Sequence, residues 1–161
     1  MKFITFSLIL LCFSLSAAAA STITDELLPS YFKIRESLAG DSIKGVTDAA
    51  KELSQLSQSY LKEKARDESV VKDAESIRTC SEKIARAGLE DARVLFKDLS
   101  KALIRLHGQL PGNTAVVTYY CSMAPGSWMQ ATDDIGNPYY GSKMLRCGKK
   151  IESRPINNDG K

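Results

Sequence analysis

The chain has 161 residues, of which 43% are hydrophobic and 25% are charged, so its length and composition fit one globular domain with a real core. The formal charge is only +3, and Lys and Arg alternate with Asp and Glu along the chain. A nucleic-acid-binding domain would need a basic stripe. The charge pattern excludes one, so we expect no nucleic-acid partner.

The first twenty residues have the pattern of a secretory signal peptide. Lys2 supplies the positive charge, residues 3–15 form an apolar run, and residues 18–20 are alanines at the cleavage position. The apolar run is too short to cross a bilayer comfortably. We therefore expect residues 1–20 to be removed on export, with a mature chain that starts at Ser21 and does not span a membrane.

Four stretches then repeat apolar residues at the 3.6-residue period of an α-helix. They cover residues 27–38, 46–61, 70–85 and 89–106. Gly40, Gly88 and Gly108 are the expected helix ends, and Pro29 is expected in a first turn, where its missing N–H is harmless. Short connections between such helices predict a mainly α fold, an up-and-down four-helix bundle over residues 21–108.

The sequence changes character at Gln109. Residues 115–121 (AVVTYYC) are β-branched and aromatic, which favours a strand, and residues 127–131 fit a second short strand. Residues 139–147 fit one helical turn, and the polar residues 153–161 are expected to be a disordered tail. We predict a single domain over residues 21–152, in which residues 109–152 form a small C-terminal β or irregular lobe.

Three cysteines remain after export, because Cys12 leaves with the signal peptide. Cys80 falls on the apolar stripe of the third helix, so we expect a buried thiol. Cys121 and Cys147 both lie in the lobe. An odd number of cysteines in an oxidising compartment leaves at least one thiol free or paired between chains.

Four sulfur-bearing side chains in the lobe are spaced as two pairs. Cys121 and Met123 share one face if the chain there is extended, and Met144 and Cys147 share one side of a helical turn. Thiolates and thioethers are soft donors that select Cu(I), and Ag(I) is a second possibility. The sequence thus predicts a Cu(I) site if the intervening loop folds back. The alternative is a metal-free lobe with a Cys121–Cys147 disulfide.

Three further residues are weaker ligand candidates. His107, the single histidine, could add a nitrogen ligand, but we expect it on the surface near a helix C-terminus. Trp128 could cover a bound cation with its ring, and Met129 is a spare thioether. A Trp in this position is more often part of the core of a small lobe, and on a strand Met129 would face the side opposite Trp128.

The lobe also carries motifs that resemble a known family. They are Tyr120-Cys121-Ser122-Met123-Ala124, then Trp128, then Ile135-Gly136-Asn137-Pro138-Tyr139-Tyr140-Gly141, and finally Met144-Leu145-x-Cys147-Gly148. Together they resemble a bacterial periplasmic domain of unknown function, found alone or attached to adaptor subunits of copper and silver RND efflux pumps. Its signature reads CPMA, a Trp, NPY-aromatic-G and M-x-x-CG. The helical half resembles it as well, through Tyr31 and Phe96-x-x-Leu99-Ser100-x-x-Leu103, whereas Ser122 replaces the Pro of the signature.

The resemblance implies a periplasmic protein that handles Cu(I) or Ag(I) as a buffer, chaperone or efflux accessory. A heavy-metal efflux adaptor or pump is the implied partner, with Cys121, Met123, Met144 and Cys147 as ligands. We expect no enzyme, since the chain has no metalloprotease, phosphate-loop or dinucleotide motif. A thiol-based enzyme would need a cysteine beside His107. A metal-free module that binds an envelope protein remains the alternative function.

Overall fold

The computed structural model describes residues 22–63, 67–110 and 112–154. The expected signal peptide lies outside these residues, as do residues 155–161 of the expected tail. None of the described helices is long and apolar enough to cross a membrane.

Four α-helices make up most of the described chain. They are α1 (Ile23–Ala39), α2 (Val46–Glu63), α3 (Glu68–Ile84) and α4 (Leu89–Gln109). Each helix packs against the next, and α1 also packs against α4, which is the neighbour pattern of a four-helix bundle. The prediction of a mainly α bundle with a small C-terminal β lobe is confirmed.

The apolar stripes meet in one core. Its largest fully buried side chains include Leu27, Leu28, Tyr31, Ile34 and Leu38 of α1, Leu53 of α2, Ile77 and Ile84 of α3, and Phe96, Leu99 and Leu103 of α4. The 3.6-residue period places these side chains on one face of each helix, so that four faces close around the same interior. The helical prediction therefore rested on the residues that form the core.

Several details of the helices differ from the prediction. Pro29 lies inside α1 rather than in its first turn, and the N–H that would bond to the Asp25 carbonyl is missing there. Gly88 caps the N-terminus of α4, since α3 already ends at Ile84. Gly108 lies within α4, which ends one residue later at Gln109 instead of at Gly108.

Cys80 is only half-buried on α3, so the prediction of a buried thiol is wrong. It lines a recess between α3 and α4. Desolvation, together with the negative charge of Asp98, raises the pKa of its thiol.

The lobe is built on a three-stranded antiparallel sheet. Strands β1 (Val116–Cys121), β2 (Gly126–Gln130) and β3 (Lys149–Arg154) lie in the order β2-β1-β3. A short 3₁₀ helix, Gly141–Met144, stands in the stretch where a helical turn was expected. Strand β3 was not predicted. It extends past residue 152, where the lobe was expected to end. Its described side chains are exposed and mostly charged, so they lack the apolar alternation that marks a strand.

One link between lobe and bundle is the hydroxyl of Tyr31. This fully buried side chain stacks on Phe96, with ring centroids 4.9 Å apart. Its hydroxyl lies 2.8 Å from that of Ser100 and accepts the N–H of Met129 in β2 at 3.1 Å. Burial raises the pKa of Tyr31 to about 12, so the hydroxyl keeps its proton and the link persists at neutral pH.

A second link is the carboxylate of Asp25 in the first turn of α1. It accepts the backbone N–H groups of Asn113 and Thr114, and also the hydroxyl of Thr114 at 2.7 Å. Desolvation opposes ionisation of Asp25, but these hydrogen bonds outweigh it and lower its pKa to about 2. The start of the lobe is therefore held by a charged acceptor on the bundle.

The third link is the buried guanidinium of Arg93 on α4. It donates to the carbonyl of Leu38 at 2.8 Å and pairs with Asp41 in the α1–α2 connection. Asp41 in turn accepts the N–H of Ser142 at 3.0 Å. Gly141 has φ of 56°, and a Cβ there would collide with both Asp41 and Arg93, so this position requires glycine.

We expect Asp25→Asn to weaken the attachment of the lobe. The folded-state pKa lies below the ordinary value, so the ionised carboxylate stabilises the fold above about pH 4. That contribution disappears as the pH falls towards 2. Allowing for solvent screening, we predict a loss of about 1 kcal/mol in unfolding free energy at pH 7.

The measurement is urea unfolding at several pH values, with the exposed first-turn acid Glu26→Gln as the matched control. The difference between Asp25→Asn and the unsubstituted protein should shrink below pH 4. A difference that stays constant down to pH 2 would contradict this role of Asp25.

Candidate metal centre

The two cysteines of the lobe come together from opposite ends of its irregular segment. Cys121 is the last residue of β1 and is fully buried, and Cys147 is a partly exposed residue that follows the 3₁₀ helix. Their Sγ atoms lie 3.3 Å apart, and both residues are free thiols. The loop between them folds back as a shared site requires.

The turn that follows β1 aims backbone donors at Cys121. Residues 122–125 form this turn, and Cys121 pairs with Gly126 at the start of β2. The N–H groups of Met123 and Ala124 hydrogen-bond to the sulfur of Cys121. Backbone N–H groups directed at one atom favour a negative charge there, so the turn is suited to a thiolate.

Asn137 holds the second cysteine in place. This fully buried side chain donates from Nδ2 to the carbonyl of Cys147 at 2.8 Å and accepts the N–H of Tyr139 on Oδ1 at 2.8 Å. Its backbone N–H donates to the carbonyl of Leu145 at 2.8 Å. The amide also hydrogen-bonds to Cys121, so Asn137 connects both thiols. From the sequence, Asn137 was recognised only as part of the motif at residues 135–141.

Two neighbouring tyrosines fix the turn and strand around Cys121. The hydroxyl of Tyr139 donates to the carbonyl of Ser127 at 2.5 Å, and that of Tyr140 donates to the carbonyl of Met123 at 3.0 Å. Burial raises the pKa of Tyr139 far above its ordinary value, so this hydroxyl remains a donor. The NPYYG stretch thus holds the site together rather than contributing ligands itself.

The pKa values of the two thiols shift in opposite directions. Desolvation opposes ionisation of Cys121, but hydrogen bonds from Ala124, Cys147, Met123 and Asn137 outweigh it, and its pKa lies below the ordinary value. The pKa of Cys147 is raised, first because it is hydrogen-bonded to Cys121, then by desolvation and by the negative charge of Cys121. The surroundings therefore favour Cys121 over Cys147 as the thiol that ionises first.

The two thioethers lie at different depths. Met123 sits in the turn and is 57% exposed, so the expectation of an extended chain that places it on the same face as Cys121 is wrong. Met144 ends the 3₁₀ helix and is half-buried, and its carbonyl accepts the N–H of Cys147 at 2.9 Å. That bond closes the turn expected between Met144 and Cys147.

The weaker ligand candidates are part of the core. Trp128 is fully buried, stacks on Tyr119 and donates its ring N–H to Gln130. Met129 is 1% exposed on β2. His107 is 5% exposed on α4, so the expectation of a surface histidine is wrong, because the helix continues past it and turns it towards the interior.

Gly148 allows the chain after Cys147 to approach the indole of Trp128. A Cβ at this position would lie 2.7 Å from the Trp128 ring and 2.8 Å from Ile135. Glycine is therefore needed for the close packing that brings Cys147 back to β1.

Among residues 22–63, 67–110 and 112–154, no group of three or more His, Cys, Asp or Glu side chains could hold a metal ion. The candidate centre has two thiols, those of Cys121 and Cys147, and the other sulfur atoms of the lobe are the thioethers of its methionines.

The architecture defines a class: a four-helix bundle with an attached antiparallel lobe that holds a dithiol with one buried and one partly exposed member. The chain belongs to a family described as "Protein of unknown function (DUF3347)", whose model matches residues 27–111, more than half of the chain. No curated protein matches, and no solved structure matches. The match covers most of the bundle and ends at residue 111, near the start of the lobe, so the resemblance of the lobe motifs to efflux-associated domains stays a prediction.

We expect the two lobe thiols to differ in alkylation by iodoacetamide. In a Cys80→Ser background, Cys147 should react first because Cys121 is fully buried, and its rate should keep rising above the ordinary thiol pKa. In Cys121→Ser the raised pKa of Cys147 loses its main cause, so Cys147 should react faster at neutral pH. Peptide mass spectrometry measures both rates, and preferential labelling of Cys121 would contradict the assignment.

We expect Asn137→Ala to loosen the pair, because it leaves the Cys147 carbonyl and the Tyr139 N–H without this buried partner. Loss of such bonds should lower the unfolding free energy by about 2–3 kcal/mol. Cys121 should become open to alkylation below the unfolding transition. The exposed Asn113→Ala is the matched control, and equal effects of the two variants would refute the role given to Asn137.

Proposed function

We propose that this protein binds Cu(I), or Ag(I), in the periplasm through Cys121 and Cys147. The metal is cargo, and the protein acts as a buffer, chaperone or efflux accessory rather than as an enzyme. The observation that carries the proposal is the 3.3 Å distance between the two Sγ atoms, with the buried member of the pair favoured as the thiolate.

The sulfur distance allows a two-coordinate metal with a small movement. A metal–thiolate bond of about 2.3 Å puts two sulfurs on opposite sides of an ion at about 4.6 Å from each other. The Sγ atoms, now at 3.3 Å, would have to separate by about 1.3 Å. The side chain of Cys147 is partly exposed whereas that of Cys121 is buried, so Cys147 is the member of the pair whose side chain has room to rotate.

The chemistry of the donors supports a soft monovalent ion. Thiolates and thioethers select Cu(I), whereas zinc prefers four ligands drawn from Cys, His and carboxylates. Cys121 is already stabilised in the form that binds metal, and Cys147 would release its proton to solvent when the ion binds. The half-buried thioether of Met144, joined to Cys147 through a backbone hydrogen bond, is the proposed third donor.

The same geometry also favours a second candidate function. A disulfide needs the Sγ atoms to approach to about 2.05 Å, which is a movement of similar size in the opposite direction. The lobe would then be a stapled interaction module for an envelope partner, without metal. A thiol-exchange enzyme is less well supported, because its accessible thiol should have a low pKa, whereas the accessible Cys147 has a raised one.

The test is an anaerobic Cu(I) titration of the reduced mature protein against the chromogenic chelator bicinchoninate. We expect about one equivalent to bind, and Cys121→Ser or Cys147→Ser to lower the affinity more than 100-fold, beyond the usual effect of losing an outer-shell partner. Cys80→Ser is the matched control and should bind as the unsubstituted protein does.

Equal losses in all three single variants would refute the assignment of the site. A failure to compete with the chelator, together with a stoichiometric Cys121–Cys147 disulfide in freshly isolated protein, would establish the second candidate instead. Intact-mass analysis after thiol alkylation detects that disulfide.

A further inference from the structure

The exposed thioether of Met123 is not explained by packing. Methionine is an apolar, flexible side chain that usually fills gaps in cores, as Met129 does at 1% exposure. Met123 is 57% exposed, although it lies only two residues from a cysteine that is fully buried. Residues two apart have Cα atoms within about 7 Å of each other, so this surface thioether stands next to the buried thiol of Cys121 along the chain.

The backbone of Met123 is held on both sides while its side chain faces solvent. Its N–H bonds to the sulfur of Cys121, and its carbonyl accepts the hydroxyl of Tyr140 at 3.0 Å. The position of the thioether relative to the dithiol is thus set by the same bonds that shape the turn. Only the flexible side chain is free to move.

The thioether of Met123 is the soft donor of the recess that it lines. Met123 lines a recess of about 180 Å³ together with Val94, Pro125 and the two tyrosines of the NPYYG stretch. The charged groups of the recess already interact with other groups of the protein. Glu90 pairs with Arg93 at 3.0 Å, and the ammonium of Lys97 lies 5.7 Å from the centroid of the Tyr139 ring.

The charges around the recess balance. Its two cations, Arg93 and Lys97, are offset by Glu90 within the recess and by Asp41, which pairs with Arg93. The exposed sulfur of Met123 is therefore the feature of the recess that would attract Cu(I).

We propose that Met123 is the receiving ligand of the centre: its thioether takes Cu(I) from a donor complex and passes it inward to Cys121 and Cys147. This role rests on the proposed function. The transfer is ligand substitution at constant oxidation state. A donor–copper bond breaks as the Met123 sulfur–copper bond forms, and that bond breaks in turn as the two cysteine bonds form. The Cys147 proton leaves to solvent.

A receiving ligand affects how fast Cu(I) is taken up but not how tightly it is finally bound. Met123→Leu keeps the size and apolarity of an exposed side chain and removes only the sulfur, so the fold should be unaffected. We expect the rate of Cu(I) uptake from its anionic bicinchoninate complex, followed by stopped-flow absorbance, to fall about tenfold. The equilibrium affinity should change less than about twofold.

Met129→Leu is the matched control, because it removes a thioether from the core of the lobe and should change neither quantity. An unchanged uptake rate in Met123→Leu would overturn the proposal, as would an affinity loss as large as that of Cys121→Ser, which would make Met123 a resident ligand. The affinity of the unsubstituted protein tests the proposed function separately, since no binding at all would defeat both.

Discussion

The candidate site depends on one buried amide, that of Asn137. Its side chain and backbone bond to the carbonyls of Cys147 and Leu145, to the N–H of Tyr139 and to the sulfur of Cys121. A fully buried amide with unmet bonds would be strongly unfavourable, so this arrangement specifies one path for the chain between the two cysteines. The 3.3 Å sulfur distance follows from that path.

The bundle supplies the rigid base for this arrangement. Polar links that attach the lobe include the Tyr31 hydroxyl, the Asp25 carboxylate and the Arg93–Asp41 pair. Tyr31, Asp41 and Arg93 lie in the stretch that matches the DUF3347 family model and Asp25 lies just before it, whereas the dithiol lies beyond its end. The family match thus covers most of the bundle that supports the lobe, and the candidate dithiol lies in the lobe itself.

The signature motifs contain both residues that attach the lobe to the bundle and residues that shape the candidate site. Gly141 is required beside Asp41 and Arg93, and Gly148 is required beside Trp128. The tyrosines of the NPYYG stretch close the turn that supplies N–H groups to Cys121. Most signature residues therefore support the cysteines rather than bind an ion, which gives a physical reason for the spacing of the motifs.

The bundle could be predicted because its signal is local: apolar residues repeat every 3.6 positions in each helix, and the same residues form the core. The candidate site was harder to predict from the sequence. The two cysteines could be assigned to one lobe, but their approach depends on Asn137, whose bonds join residues distant in sequence. The exposure of Met123 was not predicted because β1 ends two residues before it. Strand β3 was not predicted because Lys149 and Lys150 give no apolar alternation.

The most direct test of the account is X-ray absorption spectroscopy at the copper edge of the protein loaded with one equivalent of Cu(I). The account predicts a first shell made of sulfur alone, which is lost in the Cys121→Ser, Cys147→Ser double variant and kept in Cys80→Ser. A first shell dominated by nitrogen or oxygen, or one that survives the double variant, would contradict it.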